Sequence, residues 1–255
     1  MKARKIQKMN NAGYGAFALY YDSLTQNIDY DKIADYYLSL FEKQGVKQGN
    51  LLDLACGTGN LTVKLCEKSH FDFTAADIST DMLSMASAKQ LNNTRLLLSD
   101  MCSLYFNNEF DAVICGLDSL NHLSDAGELN KAFCGVFNSL KKGGIFAFDM
   151  NSVKKHREVL GDNTFVYDVE GVFCAWQNEY FEENNRVDIM LDLFVEKRGK
   201  YIRHQESFSE TAYPIKLVEE LLIKSGFEIL NCYDYLTEKE ASEDNEKFVF
   251  LARKV

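Results

Sequence analysis

The sequence of 255 residues has one proline, one tryptophan and four histidines, and it lacks any long apolar run. A membrane-spanning helix needs about 20 consecutive apolar residues, so no association with a membrane is expected. The seven cysteines are scattered, no two form a C-x-x-C pair, and the histidines are equally dispersed. This distribution argues against a disulfide framework and against a zinc site. We therefore expect reduced thiols, no bound metal and a cytoplasmic location.

Basic side chains are outnumbered, because 28 lysines and arginines face 38 aspartates and glutamates, and the formal net charge is -10. Nucleic-acid binding rests largely on neutralising phosphates, so this balance argues against nucleic acid as the main partner. The hydrophobic share of 46% is typical of a packed globular protein. The length fits one large domain, or one domain with a sizeable insertion.

The N-terminus superficially resembles a secretory signal, because four basic residues precede the mildly apolar stretch 12–21. That stretch contains two glycines and three tyrosines, runs directly into Asp22 and lacks a small-x-small cleavage site. We therefore do not expect export. The basic residues are Lys2, Arg4, Lys5 and Lys8.

Strand and helix patterns alternate from residue 51 to residue 148, joined by short connections. Such alternation predicts a parallel sheet with helices on both faces. A helix capped by Asp29 comes first. The clearest helix carries an apolar stripe from Leu129 to Leu140, and Gly143 and Gly144 are expected to end it. The predicted strands are 51–55, 71–76, 94–98, 110–115 and 145–148, and the other predicted helices are 61–67 and 79–89.

The pattern changes after about residue 160. Apolar residues alternate strictly with others from Val187 to Val195, which indicates a strand with two unlike faces. With turn signals on either side, residues 164–211 are predicted to form an antiparallel meander. Pro214 then begins a helix, and two strands complete the chain, at 227–235 and 248–252. The expected fold is α/β: a doubly wound, Rossmann-like, mostly parallel sheet with an antiparallel β insertion before the last helix.

Three features fall at the carboxyl ends of predicted strands, where open α/β sheets bind ligands. A glycine turn, Gly57-Thr58-Gly59, follows the first strand and lets the backbone approach a ligand closely, while the next helix directs free N–H groups at that ligand. Asp77 ends the second strand, 18 residues after Gly59, where an acid can accept both ribose hydroxyls of a nucleoside. Asp100 ends the third strand.

Two classes of nucleoside ligand compete for this loop. As a dinucleotide fingerprint, Gly57-x-Gly59-x-x-Thr62 lacks the third glycine that close helix packing needs. Asp53, inside the strand end, would repel a pyrophosphate but suits a ligand with a cationic amino acid part. The pattern therefore favours S-adenosylmethionine over NAD.

The order and spacing of these motifs resemble the class I S-adenosylmethionine-dependent methyltransferases over about residues 50–150. The resemblance implies S-adenosylmethionine as the cofactor. The matching segments are Asp53-x-Ala55-Cys56-Gly57-Thr58-Gly59, Asp77-Ile78-Ser79-x-x-Met82-Leu83-x-x-Ala86, Asp100-Met101, Phe110-Asp111-Ala112-Val113-Ile114 and Leu140-Lys141-Lys142-Gly143-Gly144.

Carried over residue by residue, the resemblance implies a set of cofactor contacts. Asp53 and the backbone of Gly57–Gly59 would hold the methionine part, and Asp77 the ribose. Ile78 would pack on adenine, Asp100 and the Met101 N–H would read the adenine edge, and Leu117 would lie beside the cofactor. The expected set is completed by Ala55, Cys56, Asn60 and Met82.

A narrower resemblance links the chain to small-molecule methyltransferases, including those that N-methylate amino sugars. It is carried by Tyr20-Tyr21-Asp22, by Ser119-x-Asn121-His122-Leu123 and by the meander before Pro214. It implies that Tyr21 lines the methyl-transfer channel beside the cofactor and that His122 is a candidate base. Two alternatives stay open: His122 is a turn residue bonded to backbone, or Asn121 and Asp118 share its polar role.

We therefore expect methyl transfer to an N or O nucleophile of a small-molecule acceptor, in a chain that is one domain. Its expected parts are an N-terminal helical lid (1–48), a cofactor-binding core (49–152), the β insertion (160–211) and a segment that completes the sheet (212–255). A homodimer through the β insertion is a further expectation. The alternatives are a non-catalytic S-adenosylmethionine-binding protein and an NAD(P)-dependent oxidoreductase.

Overall fold

A computed structural model of the chain describes residues 15–89, 91 and 93–255. The four basic residues of the signal-like segment and the beginning of the predicted lid lie outside the described residues. No described helix is both long and apolar enough to cross a membrane.

Two helices open the described chain, α1 (Gly15–Leu24) and α2 (Tyr30–Lys43), and strands and helices then alternate. The alternating elements are β1 (Gln48–Leu54), α3 (Asn60–Lys68), β2 (His70–Asp77), α4 (Thr80–Ala88), β3 (Thr94–Leu98), β4 (Phe110–Cys115), α5 (Ala126–Ser139) and β5 (Leu140–Asn151). Four strands follow: β6 (Thr164–Val169), β7 (Val172–Phe181), β8 (Arg186–Lys197) and β9 (Lys200–Thr211). The chain ends with α6 (Ile215–Lys224), β10 (Phe227–Asp234) and β11 (Lys247–Lys254).

Seven strands form one sheet in the order β10-β11-β5-β4-β1-β2-β3. The paired strands among β1 to β5 run parallel, whereas β11 is antiparallel to both of its neighbours. The connections reverse direction at β1, which pairs with β2 on one side and β4 on the other. Open α/β sheets bind ligands at such a reversal, outside the carboxyl ends of the strands. The predicted fold is confirmed, and its reversal lies at the glycine turn.

Strands β6 to β9 form a separate antiparallel sheet, which the chain enters after β5 and leaves before α6. The alternation from Val187 to Val195 predicted a strand with two unlike faces. The apolar side chains of this segment are all buried on one face of β8. This face packs against α1 and against Met82 in the first turn of α4. Since α4 follows the carboxyl end of β2, α1 and the second sheet lie beside the ligand-binding edge of the first sheet.

Helices cover both faces of the seven-stranded sheet. On one face, α5 and α6 bury an aromatic cluster in which the ring centroids of Phe146 and Phe148 are 4.7 Å apart. On the other face, α2 contributes Tyr37 and Phe41, both fully buried. Each fully buried large apolar side chain stabilises the fold by about 1.5–3 kcal/mol. These two layers hold the strand ends in fixed positions.

One predicted boundary is wrong. Helix α5 ends at Ser139 and β5 begins at Leu140, so Gly143 and Gly144 lie within the strand instead of ending the helix. The pairing of β5 with β4 is irregular at this point, and Gly143 there has φ of 81°. Glycine adopts that conformation without a steric penalty, which suits a break in strand register.

Candidate active site

The loop between β1 and α3 turns at two glycines in the left-handed region, Gly57 with φ of 55° and Gly59 with φ of 78°. A side chain at Gly59 would place its Cβ 3.2 Å from the Cβ of Ala86, so the loop packs tightly against α4 only because this residue is glycine. At Gly57 the space around the missing Cβ is open. The loop therefore exposes its backbone at Gly57 while Gly59 anchors it.

Asp77 closes the second side of the site at the end of β2. One carboxylate oxygen accepts the N–H of Gly57 at 2.8 Å and the other accepts the N–H of Ser79 at 2.8 Å. Burial raises the pKa of this carboxyl group, although the two N–H groups act in the opposite direction. Each oxygen keeps a further lone pair for a ligand hydroxyl.

The third side combines an apolar surface with an acid. Ile78 is 64% exposed although it follows the buried Asp77, so its side chain offers a flat apolar surface to a ligand. Asp100 is exposed and caps a short 3-10 turn, with one oxygen accepting the Cys102 N–H at 2.8 Å. Met101 begins that turn and lies beside Asp100.

Asp53, predicted to hold the methionine part, is bonded to a neighbouring helix. Its side chain is 2% exposed and accepts a 2.5 Å hydrogen bond from the Thr62 hydroxyl of α3. Burial raises its pKa to about 7, opposed by the Thr62 bond and reinforced by the charge of Asp77. Asp53 lies beneath the glycine loop, where it fastens β1 to α3.

A cavity of about 510 Å³ lies over these strand ends, within the ~300–1,000 Å³ of typical small-molecule pockets. Its wall brings together twelve of the predicted site residues, whereas Asp53 and Gly59 do not line it. Cys56 is buried, and burial raises the pKa of its thiol far above the ordinary value, so it is not a reactive thiolate. The twelve are Tyr21, Ala55, Cys56, Gly57, Asn60, Asp77, Ile78, Met82, Asp100, Met101, Leu117 and His122.

Helix α1 is fastened to the glycine loop through Asp22. This carboxylate accepts hydrogen bonds from the Thr58 hydroxyl at 2.6 Å and the Asn60 amide at 2.9 Å, and it pairs with Lys89 at 2.8 Å. The neighbouring Tyr21 lines the cavity. Asp22 was part of the leader motif, but nothing in the sequence indicated its partners, which come from two later segments.

His122 lies on a short 3-10 turn after β4, with its ring exposed in the cavity wall. The ring packs on Phe208 of β9 at a centroid distance of 5.3 Å. No hydrogen bond joins this imidazole to another described residue, so the alternative of a turn residue bonded to backbone is not what the structure shows. Asn121 is fully buried and bonds the backbone of Asn151 and Thr211, which leaves it no free polar group in the cavity.

The turn before His122 is held by a buried carboxylate. Asp149 accepts the N–H groups of Leu117 and Asp118, the Tyr37 hydroxyl and the Lys247 ammonium, all at 2.7–2.8 Å. Leu117 and Asp118 both have positive φ, 58° and 55°. Four donors on one carboxylate therefore hold the backbone that places Leu117 in the cavity.

Asp118 also lines the cavity but is already occupied. Its carboxylate bonds Lys247 at 2.9 Å and the Asn151 amide at 2.8 Å. Burial alone would raise its pKa, yet the ammonium groups of Lys247 and Lys155 hold that pKa well below the usual range. An acid that stays ionised and paired is a poor proton acceptor, which leaves His122 as the better candidate base.

Several cavity residues were not predicted. Aromatic rings of α1 and the second sheet, including Trp176 and Phe208, form one part of the wall. A polar group formed by Asn151, Lys155 and Glu210 forms another. Periodicity placed Trp176 and Phe208 on strands of the meander, but it did not show that these two side chains line the cavity.

Comparisons with known proteins agree with this geometry. Residues 51–144 match the model of a family described as "Methyltransferase domain". The chain is 33% identical over 246 residues to the protein named "Putative methyltransferase YqeM" from Bacillus subtilis (strain 168), covering 94% of this chain and 97% of that protein.

Two solved structures extend the comparison. A S-adenosylmethionine-dependent methyltransferase from Clostridium acetobutylicum ATCC 824 superposes with a TM-score of 0.84 at 37% identity, covering 94% of this chain and 98% of that one. The sugar N-methyltransferase KedS8 from Streptoalloteichus sp ATCC 53650 shares the fold, with a TM-score of 0.76 at 21% identity and 99% coverage of both chains. The chain therefore belongs to the class I S-adenosylmethionine-dependent methyltransferases.

Proposed function

We propose that this methyltransferase methylates a nitrogen or oxygen nucleophile of a small-molecule acceptor. The observation that carries the proposal is the shared wall of one cavity: the strand-end groups for the cofactor and the side chains of the second sheet line the same space. A cavity of about 510 Å³ suits a small molecule beside a nucleoside. That KedS8 is a sugar N-methyltransferase with the same fold supports an acceptor of this size.

The parts of the cofactor fit the hydrogen-bonding groups and the apolar surface that line the cavity. The two hydroxyls of a ribose would bond the free lone pairs of Asp77, and adenine would lie on the exposed side chain of Ile78. Asp100 and the Met101 N–H would bind the adenine edge. Backbone at Gly57 would hold the methionine part, since the space around its missing Cβ is open.

The remaining predicted residues have supporting roles in this proposal. Tyr21, Asn60 and Leu117 would flank the cofactor, while Ala55, Cys56 and Met82 would pack close to it. Asp53 would act through Thr62 by keeping the loop in place, because its buried carboxylate does not reach the cavity wall.

When bound, S-adenosylmethionine supplies a methyl group that its sulfonium makes electrophilic. The protein has to hold the nucleophile in line, and good orientation can contribute ~7–11 kcal/mol. The bound cofactor would supply the methyl group, and its sulfur would keep the electron pair of the carbon–sulfur bond. His122 would accept the proton that the acceptor nucleophile loses. Histidine suits this step because its charge changes near neutral pH.

Two measurements test the proposal. Calorimetry should show binding of S-adenosylmethionine and S-adenosylhomocysteine, and a preference for NAD(P) would refute it. A screen of amines and alcohols, in which the release of S-adenosylhomocysteine is measured, should then reveal turnover. Tight cofactor binding without turnover on any acceptor would instead support a non-catalytic binding protein.

A further inference from the structure

A buried histidine and a buried glutamate meet behind the cavity wall. His156 is 0% exposed, and its Nε2 lies 3.6 Å from the Glu210 carboxylate oxygen Oε2. Its Nδ1 lies 3.0 Å from the backbone carbonyl oxygen of Asn185. Among the described residues Nε2 has no hydrogen-bond partner. Glu210, 5% exposed, lines the cavity, whereas His156 does not.

The protonation of this pair follows from its partners. A carbonyl oxygen only accepts hydrogen bonds, so Nδ1 of His156 must carry a hydrogen. In a neutral ring Nε2 would then present a lone pair to the Glu210 carboxylate, and both groups are buried. That arrangement leaves two acceptors facing each other out of water, which is costly. One proton between Nε2 and Oε2 removes the conflict, whichever atom holds it.

With one proton on the His156–Glu210 pair, the charged groups at and behind the polar end of the cavity balance. Asp118, Lys155 and Glu210 line the cavity, whereas Asp149, Lys247 and the protonated His156 do not line it. Three negative charges and three positive charges leave nothing to attract a charged group of the acceptor. The Asn151 amide donates to Oε2 of Glu210 at 3.4 Å, and no described residue donates a hydrogen bond to Oε1.

Glu210 is also placed so that one molecule can contact both Glu210 and His122. Glu210 and Phe208 are two residues apart on β9 and therefore share one face, about 7 Å apart along the strand. Phe208 packs on the His122 ring. A molecule bonded to Glu210 would lie along Phe208 with its far end at His122.

We propose, on the basis of the proposed function, that Glu210 binds an uncharged hydroxyl or N–H group of the methyl acceptor through Oε1. His156 is a positioning residue, because one proton held by the His156–Glu210 pair keeps the pair neutral overall. The acceptor class is a molecule with an uncharged hydrogen-bond donor remote from the nucleophile that is methylated.

The first test needs no acceptor. Nitrogen-15 NMR of the imidazole rings, with His156 assigned through H156N, reports the state of Nε2. In the wild type the chemical shift of Nε2 should differ from that of an unprotonated nitrogen in a neutral imidazole. In E210L the Nε2 shift should equal that reference value. An Nε2 signal that is the same in both proteins overturns the shared proton.

The second test compares trans-4-aminocyclohexanol with cyclohexylamine, which differ by one hydroxyl, on protein saturated with S-adenosylhomocysteine. The wild type should bind the amino alcohol about fivefold more tightly, as expected for one neutral hydrogen bond. E210Q should keep this preference, because its amide nitrogen can donate to Nε2 while its oxygen still accepts. E210L should lose it. E196L, at an exposed glutamate of β8, is the matched control and should behave as wild type.

Two results would overturn the proposal. One is the absence of a hydroxyl preference in the wild type. The other is equal loss in E210Q and E210L, which would mean that Glu210 acts through its charge. Affinity for S-adenosylhomocysteine, measured for every variant, separates these results from failure of the proposed function, since the cofactor groups are elsewhere in the cavity.

Discussion

The Asp22 carboxylate of α1 accepts a 2.6 Å hydrogen bond from the Thr58 hydroxyl in the glycine loop. The same helix contacts the second sheet, where Phe17 packs edge-on against Trp176 at a centroid distance of 6.2 Å. One helix therefore contacts both the proposed cofactor side and the proposed acceptor side of the cavity. Asp22 attaches it to the loop.

Removing that attachment should weaken cofactor binding. D22A deletes the bonds to Thr58 and Asn60 and the ion pair with Lys89, so we expect about tenfold lower affinity for S-adenosylhomocysteine. Calorimetry measures this affinity. D31A is the control, because Asp31 is an exposed acid that pairs with Lys64 and Lys68 away from the cavity. Equal affinity of D22A and wild type would show that α1 does not support the loop.

The ribose role of Asp77 predicts a larger effect. D77N keeps the size of the side chain and one carbonyl oxygen but loses the charge that strengthens hydrogen bonds to ligand hydroxyls. A hydrogen bond to a charged group contributes ~1.5–3 kcal/mol, so cofactor affinity should fall about 10- to 100-fold. Asp72 is an exposed acid on the same strand, and D72N should bind the cofactor normally. Normal binding by D77N would exclude the ribose role.

Burial of Asp53 predicts a pH-dependent stability. Its pKa is raised to about 7 in the folded protein, above the ~3.9 of an unfolded chain. Between these values the folded state holds a proton that the unfolded state has released. The free energy of unfolding should therefore fall as pH rises from about 4 to about 7, by ~1–4 kcal/mol from this group.

D53N isolates this contribution, because an asparagine oxygen can still accept the Thr62 bond but does not titrate. The free energy of unfolding of D53N minus that of the wild type should be larger at pH 8 than at pH 5. Urea denaturation of both proteins at the two pH values gives the difference. A difference in stability that stays constant with pH would contradict the buried titration.

His122 can be tested separately from cofactor binding. A general base contributes typically ~10²–10⁴-fold to a rate, so H122A should lower turnover by about that factor on an acceptor that must lose a proton. Affinity for S-adenosylmethionine should stay within about twofold of wild type, because Asp77, Ile78 and Asp100, which are proposed to bind the nucleoside, are on other loops. H204A, at an exposed histidine of β9, should be fully active. Unchanged turnover of H122A would rule out the base role.

The contiguous part of the site was predictable because its signals are local. Asp77 ends β2, and Ile78 and Asp100 come within two residues of a strand end. In a parallel sheet the carboxyl ends of adjacent strands meet at one edge. Their arrangement therefore follows from the alternation of strands and helices. The meander was predictable for the same reason, since strict alternation fixes which side chains of β8 are buried.

Contacts between distant segments could not be predicted from the sequence. Asp22 meets Thr58 only because α1 folds back over the loop, and Glu210 meets His156 only because β9 lies against the turn after β5. The Thr62 partner of Asp53 was likewise not indicated: its motif predicts a ligand contact, and the structure shows its side chain bonded to Thr62 of α3. A sequence pattern places a residue on a strand end without showing which layer its side chain enters.

Lys247 offers a stability prediction at the buried turn. Its ammonium lies 2.7 Å from Asp149 and 2.9 Å from Asp118, and these carboxylates raise its pKa although burial alone would lower it. K247M leaves the fully buried Asp149 without a cation, and breaking a buried pair on one side costs ~3–5 kcal/mol. Urea denaturation at pH 7 measures the loss.

The matched control is K43M, because Lys43 pairs with Glu238 at an exposed site. Exposed ion pairs contribute ~0–1 kcal/mol, so K43M should unfold close to wild type. Because Asp149 holds the backbone of Leu117 and Asp118, K247M should also weaken cofactor binding, whereas K43M should not. If the two lysine variants lost equal stability, the three N–H and O–H donors on Asp149 would suffice to hold its charge, and Lys247 would not be required for the turn.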